Sequence, residues 1–364
     1  MSRHLSFRDF DWTLITVSVL LCSLGVLQIF SATHDTVWRD AWWKQILWLA
    51  IGLLVMWVAT LFDYHAMLHH VPLLYLASIV TLMAVLFAGK LVFGSRRWIP
   101  IGSFHFQVSE FVKLVIVLLV ARYLTEVRAE ILGGWDLVKL SGLVGIPMIL
   151  VMLQPDLGTA LTYLPVLGAG CFLTGVRWKY LAVIAVLLAV LLPVGWYSNA
   201  LWEYQKSRVE TFLNPDSDPR GRGYQAIQSR IAVGAGGMWG KGVTRGTQTQ
   251  LRFLPVPHTD FIFSAFAEEH GFAGVVFVLV LYFVLLMQII QNAQTSADRA
   301  GVYLCMGVAA LLLFHVLVNV GMVVGRMPVV GIPLPLLSYG GSNLLSTFLM
   351  LGLVNNVRLR RFVN

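Results

Sequence analysis

Asp260 closes the run Pro255-Val256-Pro257-His258-Thr259-Asp260, and an apolar stretch opening Phe261-Ile262-Phe263 follows at once. A carboxylate there could take a proton from an attacking hydroxyl. It could equally cap a helix, since Thr and Asp are favoured before a first turn and negative charge suits the helix dipole. The two roles are compatible, because a carboxylate beside a helix start is expected to stay ionised. Pro255 and Pro257 restrict the approach, so the group would be held with little reorganisation.

A second pair, Glu110 and Lys113 in Ser109-Glu110-Phe111-Val112-Lys113, lies three apart in apolar sequence. On a helix the two share a face. A charge at membrane depth costs about 3 kcal/mol, so such groups pair or face a cavity. Two readings stay open: an ion pair tying helices together, or a pair facing substrate. The spacing is not the Ser-x-x-Lys of penicillin-binding enzymes. In Gly94-Ser95-Arg96-Arg97-Trp98 a guanidinium fork suits phosphate, while the indole suits a sugar ring or the membrane interface. Asp156, in Gln154-Pro155-Asp156, interrupts another apolar run and reads as a carboxylate at the same mouth. Glu268 and Glu269 lie two turns beyond Asp260, and at least one should face the protein interior. The run from Gly234 to Gly242 resembles a phosphate loop only superficially, since Gly242 stands where Ser or Thr is required. A tight glycine turn is the simpler reading, with anion cradling as the alternative.

Apolar spans must position these groups. The chain has 364 residues, 58% apolar and only 12% charged, about half the charged share of soluble domains. That composition predicts an all-α, polytopic membrane protein of about ten helices. The candidate spans are 12–30, 45–62, 71–93, 107–124, 138–153, 158–176, 178–197, 261–290, 301–325 and 342–357. Met1–Asp11 is polar and no small-residue cleavage pattern follows, so the first span is expected to stay as an anchor. Lys and Arg, including Arg3, Arg122, Arg177, Arg299 and Arg358, crowd the side that carries both termini, which predicts cytoplasmic termini. Span parity then puts the long loop 198–260 outside. That loop holds eight cations between Lys206 and Arg252, Arg208 and Arg222 among them, and outnumbers its carboxylates. It suits an anionic partner. Residues 224–233 read as a short amphipathic helix within it. Cys22, Cys171 and Cys305 lie in apolar runs without metal-ligand spacing and read as packing residues. There is no internal repeat, and nothing points to nucleic acid. The whole chain, 1–364, reads as one membrane domain.

Several of these runs, in order along nearly the whole chain, resemble the SEDS family (RodA, FtsW and SpoVE). They are Arg97-Trp98-Ile99, Ser109 to Leu114, Gln154 to Ala160, Gly223-Tyr224-Gln225, His258 to Phe263 with Glu268-Glu269 and Gly271, and Gly331-Ile332-Pro333-Leu334-Pro335 through Ser342. The last is the most specific and leans to the RodA branch. Val256-Pro257 departs from the Pro-Glu pattern common in the family, so no acid or base precedes His258. Val108 and Arg326 depart too. None of these touches Asp260.

The resemblance implies an inverting peptidoglycan glycosyltransferase that polymerises lipid II on the outer face of the bacterial cytoplasmic membrane during elongation, releasing undecaprenyl pyrophosphate. It implies Asp260 as the catalytic base. It places Glu110, Lys113, Arg97, Trp98, Asp156, Arg208, Arg222 and His258 about the substrate. Charge on the pyrophosphate calls for cations, or for a divalent ion such as Mg²⁺ or Mn²⁺. Implied partners are the growing glycan strand, a class B penicillin-binding transpeptidase and other elongation-complex membrane proteins. The rival readings are a lipid II flippase, a division-specific polymerase of the FtsW kind, and a non-catalytic scaffold.

Overall fold

In an apolar surrounding each backbone N–H and C=O must find its partner within the chain, and helices do this locally. The computed structural model describes residues 10–92, 95–101, 104–127, 131–197, 203–218 and 221–361. Among them, fifteen α-helices run in chain order: α1 Trp12–Thr33, α2 Ala41–Leu61, α3 Tyr64–His69, α4 Val71–Ala88, α5 Val108–Val127, α6 Gly134–Leu153, α7 Leu157–Leu161, α8 Tyr163–Thr174, α9 Trp178–Tyr197, α10 Glu203–Leu213, α11 Arg222–Ala235, α12 Thr247–Gln250, α13 Ile262–Gln294, α14 Arg299–Val323 and α15 Gly341–Leu359. Among the described residues, six spans are long and apolar enough to cross a membrane: α1, α2, α6, α7 with α8, α13 and α14. The protein is a helical, multi-pass membrane protein.

The more polar α5 and α15 lie inside the bundle, with most of their residues buried. A helix sheathed by others can carry Glu110, Lys113 or Asn343, because those groups meet protein instead of lipid. Small residues let these helices approach. A Cβ on Gly352 would stand 2.7 Å from the Met56 carbonyl of α2, and one on Gly52 would strike the Phe348 ring.

Three features depart from the sequence reading. The span expected over 71–93 stops at Ala88, and an antiparallel sheet follows, β1 Lys90–Val92, β2 Ser95–Ile101 and β3 Phe104–Gln107. An all-helical expectation overlooked it because these strands are short, although Ile99 and Ile101 alternate in β2 and Phe104 and Phe106 in β3. The span expected over 158–176 is broken at Thr162 into α7 and α8. The region read as the loop 198–260 carries α10, α11 and α12 over about half of its described residues, and its short amphipathic helix extends to Arg222–Ala235.

α13 is itself broken. Gly271 takes φ 65°, which frees backbone groups on both sides of it. The glycine run fills the gap. Phe272 and Ala273 N–H donate to the carbonyls of Gly237 and Met238 at 2.9 and 3.1 Å, and Lys241 and Gly242 N–H donate to Glu268 and Glu269 carbonyls at 3.0 and 2.9 Å. A side chain at Gly240 could not fit, since a Cβ would lie 2.2 Å from the Glu269 carbonyl. The run is therefore a tight turn completing a broken helix, and the amides of Lys241 and Gly242 are committed to it.

Both described chain ends meet at one end of the bundle. Buried Asp11 caps α1, pairs with Arg358 at 3.0 Å and accepts from Gln288 and Asn292 at 2.9 and 2.6 Å. The segments around Trp38, Arg97, Asp156, Arg208, Asp260 and Tyr339 gather elsewhere, and they build the site.

Candidate functional site

The strand of chain carrying Asp260 is clamped by the Gly331–Ser342 segment. Asn319 of α14 donates its Nδ2 both to the Asp260 carbonyl at 2.9 Å and to the Ile332 carbonyl at 2.8 Å. Ser338 donates to the Thr259 carbonyl and accepts from Leu334 N–H, each at 2.8 Å. Tyr339 N–H donates to the His258 carbonyl at 2.9 Å. Gln45 of α2 holds the clamp in turn, donating to the Ser338 carbonyl at 3.1 Å. Each bond fixes backbone and leaves the Asp260 side chain out.

That side chain is partly exposed and has no hydrogen bond or ion pair among the described residues. The expected helix cap is not made: Phe261 occupies the N-cap of α13, and no side chain caps it. Burial pushes the Asp260 carboxyl above the ordinary carboxylate range; Arg97 and Arg208 pull it down, and Asp156 pushes it up. The helix cap expected to hold the group ionised is therefore absent, and burial works against ionisation. A raised pKa strengthens it as a base.

Asp156 is the contrasting carboxylate. It is buried, caps α7 through Thr159 N–H at 3.2 Å, and accepts from Thr159 Oγ1 and Gln107 Nε2 at 2.9 Å each. Arg97 Nη1 lies 3.2 Å from its Oδ2. Asp156 is thus spent on local structure and on anchoring Arg97, and does not stand free at the mouth. Two donors beside it stay unspent: Arg97 Nε and Trp98 Nε1 are buried with no hydrogen-bond partner among the described residues. A buried N–H without an acceptor is costly. Arg208 donates to the Val330 carbonyl at 2.9 Å, next to Gly331, whose backbone borders the Asp260 carboxylate. Arg208 also lines a pocket with Thr211, Arg230 and Met327. Arg222 opens α11, but its side chain lies outside the described residues, as does that of Arg96.

Glu110 and Lys113 pair as their spacing predicts, at 2.7 Å. Both are buried. Glu110 also accepts from Asn343 Nδ2 at 3.0 Å, and Lys113 lies 3.2 Å from His315 Nε2. His315 Nδ1 is 2.8 Å from the Leu311 carbonyl, which assigns the ring proton to Nδ1 and leaves Nε2 to accept from Lys113. The network joins α5, α14 and α15, and of the two readings left open the burial favours the tie between helices. It touches the Asp260 end through Gln107, whose N–H donates to Ser342 Oγ at 3.0 Å beside Asn343.

His258 packs its buried ring against Trp38 and Tyr339, with centroids 5.4 and 5.9 Å away. Burial lowers its pKa to about 4, so the ring is neutral at pH 7. Glu268 and Glu269 both face inward. Glu268 gathers Lys241 at 2.9 Å and the amides of Gln248 and Thr249 at 2.8 and 3.1 Å; Glu269 takes Ser31 at 2.6 Å and Gln28 at 3.1 Å. They dock the 240s segment onto α1 and α13. Among the described residues no three His, Cys, Asp or Glu groups come together as a metal site. Asn319 and His315 went unnoticed in the sequence, although polar residues four apart inside the 301–325 span were a signal for them.

A bundle of apolar helices around a loop-borne carboxylate, with guanidinium groups on neighbouring segments, defines a multi-pass membrane protein with a polar cluster at one end of its helices. A family profile described as cell cycle protein, FtsW/RodA/SpoVE, matches residues 11–361. The chain is 38% identical over 356 residues to the peptidoglycan glycosyltransferase MrdB of Escherichia coli K12, covering 96% of this chain and 94% of that protein. It resembles a solved chain from a peptidoglycan synthase complex with TM-score 0.84 and 35% identity, covering 98% and 99% of the two chains. The rod shape determining protein RodA of Thermus thermophilus superposes with TM-score 0.73 at 30% identity, over 98% of each chain. The chain belongs to the SEDS family of FtsW, RodA and SpoVE.

Proposed function

We propose that this protein is a peptidoglycan glycosyltransferase that polymerises lipid II at the outer face of the cytoplasmic membrane, in the elongation role of the RodA branch. The observation that carries the reading is an Asp260 carboxylate with no hydrogen bond or ion pair among the described residues, its backbone clamped by Asn319 and bordered by Gly331, next to the Val330 carbonyl that Arg208 holds. The acceptor sugar hydroxyl attacks the anomeric carbon from the face opposite the leaving group, so configuration inverts. A C–O bond forms to the acceptor as the bond to the pyrophosphate oxygen breaks. Asp260 takes the hydroxyl proton. Arg97 Nε, Trp98 Nε1 and Arg208 meet the negative charge that builds on the departing undecaprenyl pyrophosphate. Pyrophosphate is a good leaving group, and no general acid is required. The neutral His258 supplies none.

Asp156 and the Glu110–Lys113 tie serve as positioning groups behind this centre. Ten spans, cytoplasmic termini and an outer Asp260 complete the topology; the meeting of Asp11 with Arg358 supports the even number of crossings. A class B transpeptidase and other elongation-complex membrane proteins are the partners the family resemblance suggests. The test is glycan synthesis by purified protein from lipid II in detergent, where there is no second leaflet. Polymer supports the enzyme. Lipid II left unpolymerised there, but moved across liposome membranes, would make the protein a flippase.

A further inference from the structure

A polymerase must hold two sugars, a donor on its pyrophosphate and an acceptor whose hydroxyl reaches the base. The guanidinium groups around Asp260 account for the donor. A different neighbourhood approaches the same loop from the turn between α1 and α2. There Trp38, His258 and Tyr339 form a ring cluster, with centroids 5.4 Å from Trp38 to His258, 6.4 Å from Trp38 to Tyr339 and 5.9 Å between the last two. His258 is buried and Tyr339 is half-buried. Trp38 is 45% exposed.

The turn holds Trp38 firmly. Its own N–H donates to Thr36 Oγ1 at 3.0 Å, and its carbonyl accepts from Ala41 N–H at 2.8 Å. Arg252 ties the same turn to the 250s segment through the Asp35 carbonyl. The rim is polar: Asp35, Arg39 and Asp40 are all exposed, and His34 pairs with Asp35 at 2.9 Å. An indole face is negative and attracts the C–H groups on one face of a pyranose, while rim carboxylates and guanidinium groups suit its hydroxyls. His258 precedes Asp260 by two residues, so their Cα atoms lie within about 7 Å. A ring stacked on Trp38 would therefore lie against the loop that carries the base.

We infer that the exposed face of Trp38 is the stacking platform for a sugar of the glycan acceptor. The inference rests on the polymerase reading, and it adds a subsite that the guanidinium groups do not provide.

Binding is read without catalysis, which separates the two claims. The probe is a lipid-free tetrasaccharide of alternating N-acetylglucosamine and N-acetylmuramic acid, titrated calorimetrically into the full-length protein in detergent. Trp38→Phe keeps an aromatic face and should bind within about threefold of wild type, whereas Trp38→Ala and Trp38→Leu should bind about tenfold more weakly, the worth of one aromatic contact. Thermal melting confirms that each variant is folded. Equal affinity for Trp38→Ala and wild type would overturn the platform. So would Trp38→Leu matching Trp38→Phe, since that result marks an apolar anchor, and so would wild-type protein that does not bind the tetrasaccharide. Failure of wild type to polymerise lipid II would sink the enzyme reading, while this titration would still judge the site.

Discussion

The Glu110–Lys113 region and the Asp260 region place ionisable groups in the same apolar bundle with opposite degrees of satisfaction. Around Lys113 the groups are closed off and partnered: Glu110 meets Lys113 and Asn343, and Lys113 meets His315. Around Asp260 the backbone is clamped by Asn319, Ser338 and Tyr339, while the carboxylate has no partner among the described residues. One region spends its charges on holding helices together. The other fixes the chain and leaves one carboxylate without a partner among the described residues. Asp156 and Asp260 repeat the contrast at closer range, for both feel Arg97 and only Asp156 is bound to it.

The sharpest way to break this contrast is to open the closed region. Lys113→Ala leaves the Glu110 carboxylate buried without its cation, which costs about 3–5 kcal/mol, and the variant should show a large loss of melting temperature in detergent. Replacing both partners, Glu110→Gln with Lys113→Met, should recover most of that stability, because uncharged groups of similar size remove the desolvation cost. If the double change stayed as unstable as Lys113→Ala, the pair would not be the tie described.

Asp156 should give a smaller and divided effect. Asp156→Ala removes the α7 cap, worth about 1 kcal/mol, and also frees Arg97. Asp156→Asn keeps the cap but sets an amide N–H2 where Oδ2 accepts from Thr159, Gln107 and Arg97, so it should melt below wild type and raise the KM for lipid II through a misplaced Arg97. Equal KM in wild type and Asp156→Asn would show that Arg97 needs no anchor.

The open region should answer in the opposite direction. Asp260 has a raised pKa in the folded chain, so the fold binds its proton more tightly than the unfolded chain does. Its contribution is most favourable below the ordinary aspartate value, about 3.9, and is lost as pH rises through the folded pKa. At pH 7 the ionised group is a net cost. Asp260→Asn should therefore melt slightly higher than wild type at pH 7, with the gap closing as the pH falls towards about 4. A melting temperature below wild type at pH 7 would mean that Asp260 supports the fold. His258→Phe should be the mildest change, since a neutral, packed ring gives way to another ring; about 1.5 kcal/mol bounds the cost of such a swap.

Much of this was legible in the sequence, for reasons that differ by residue. The long apolar runs show the helices because lipid exposure leaves few alternatives. The spacing of Glu110 and Lys113 shows their pairing because a helix puts positions three apart on one face. The small sheet after Ala88 was hidden because its strands are only three to seven residues long. The service of Asp156 to Arg97 was hidden because it depends on Gln107 and Thr159, which the fold brings together across loops. Gly271 was quoted only as part of a motif; its positive φ and the glycine turn that repairs α13 need the two segments in contact. The sequence does name Asp260, yet its lack of a cap could be seen only once Phe261 was found to begin the helix.

The account turns on Asp260 acting as a base while the groups around it act as structure. The most direct test is kcat/KM on lipid II for purified wild-type protein and Asp260→Asn in detergent, with melting curves alongside. Loss of a positioned base costs about 10²–10⁴-fold, so the Asn variant should fold at least as stably as wild type and lose activity by that factor. Glycan synthesis by Asp260→Asn at close to the wild-type rate would contradict the account.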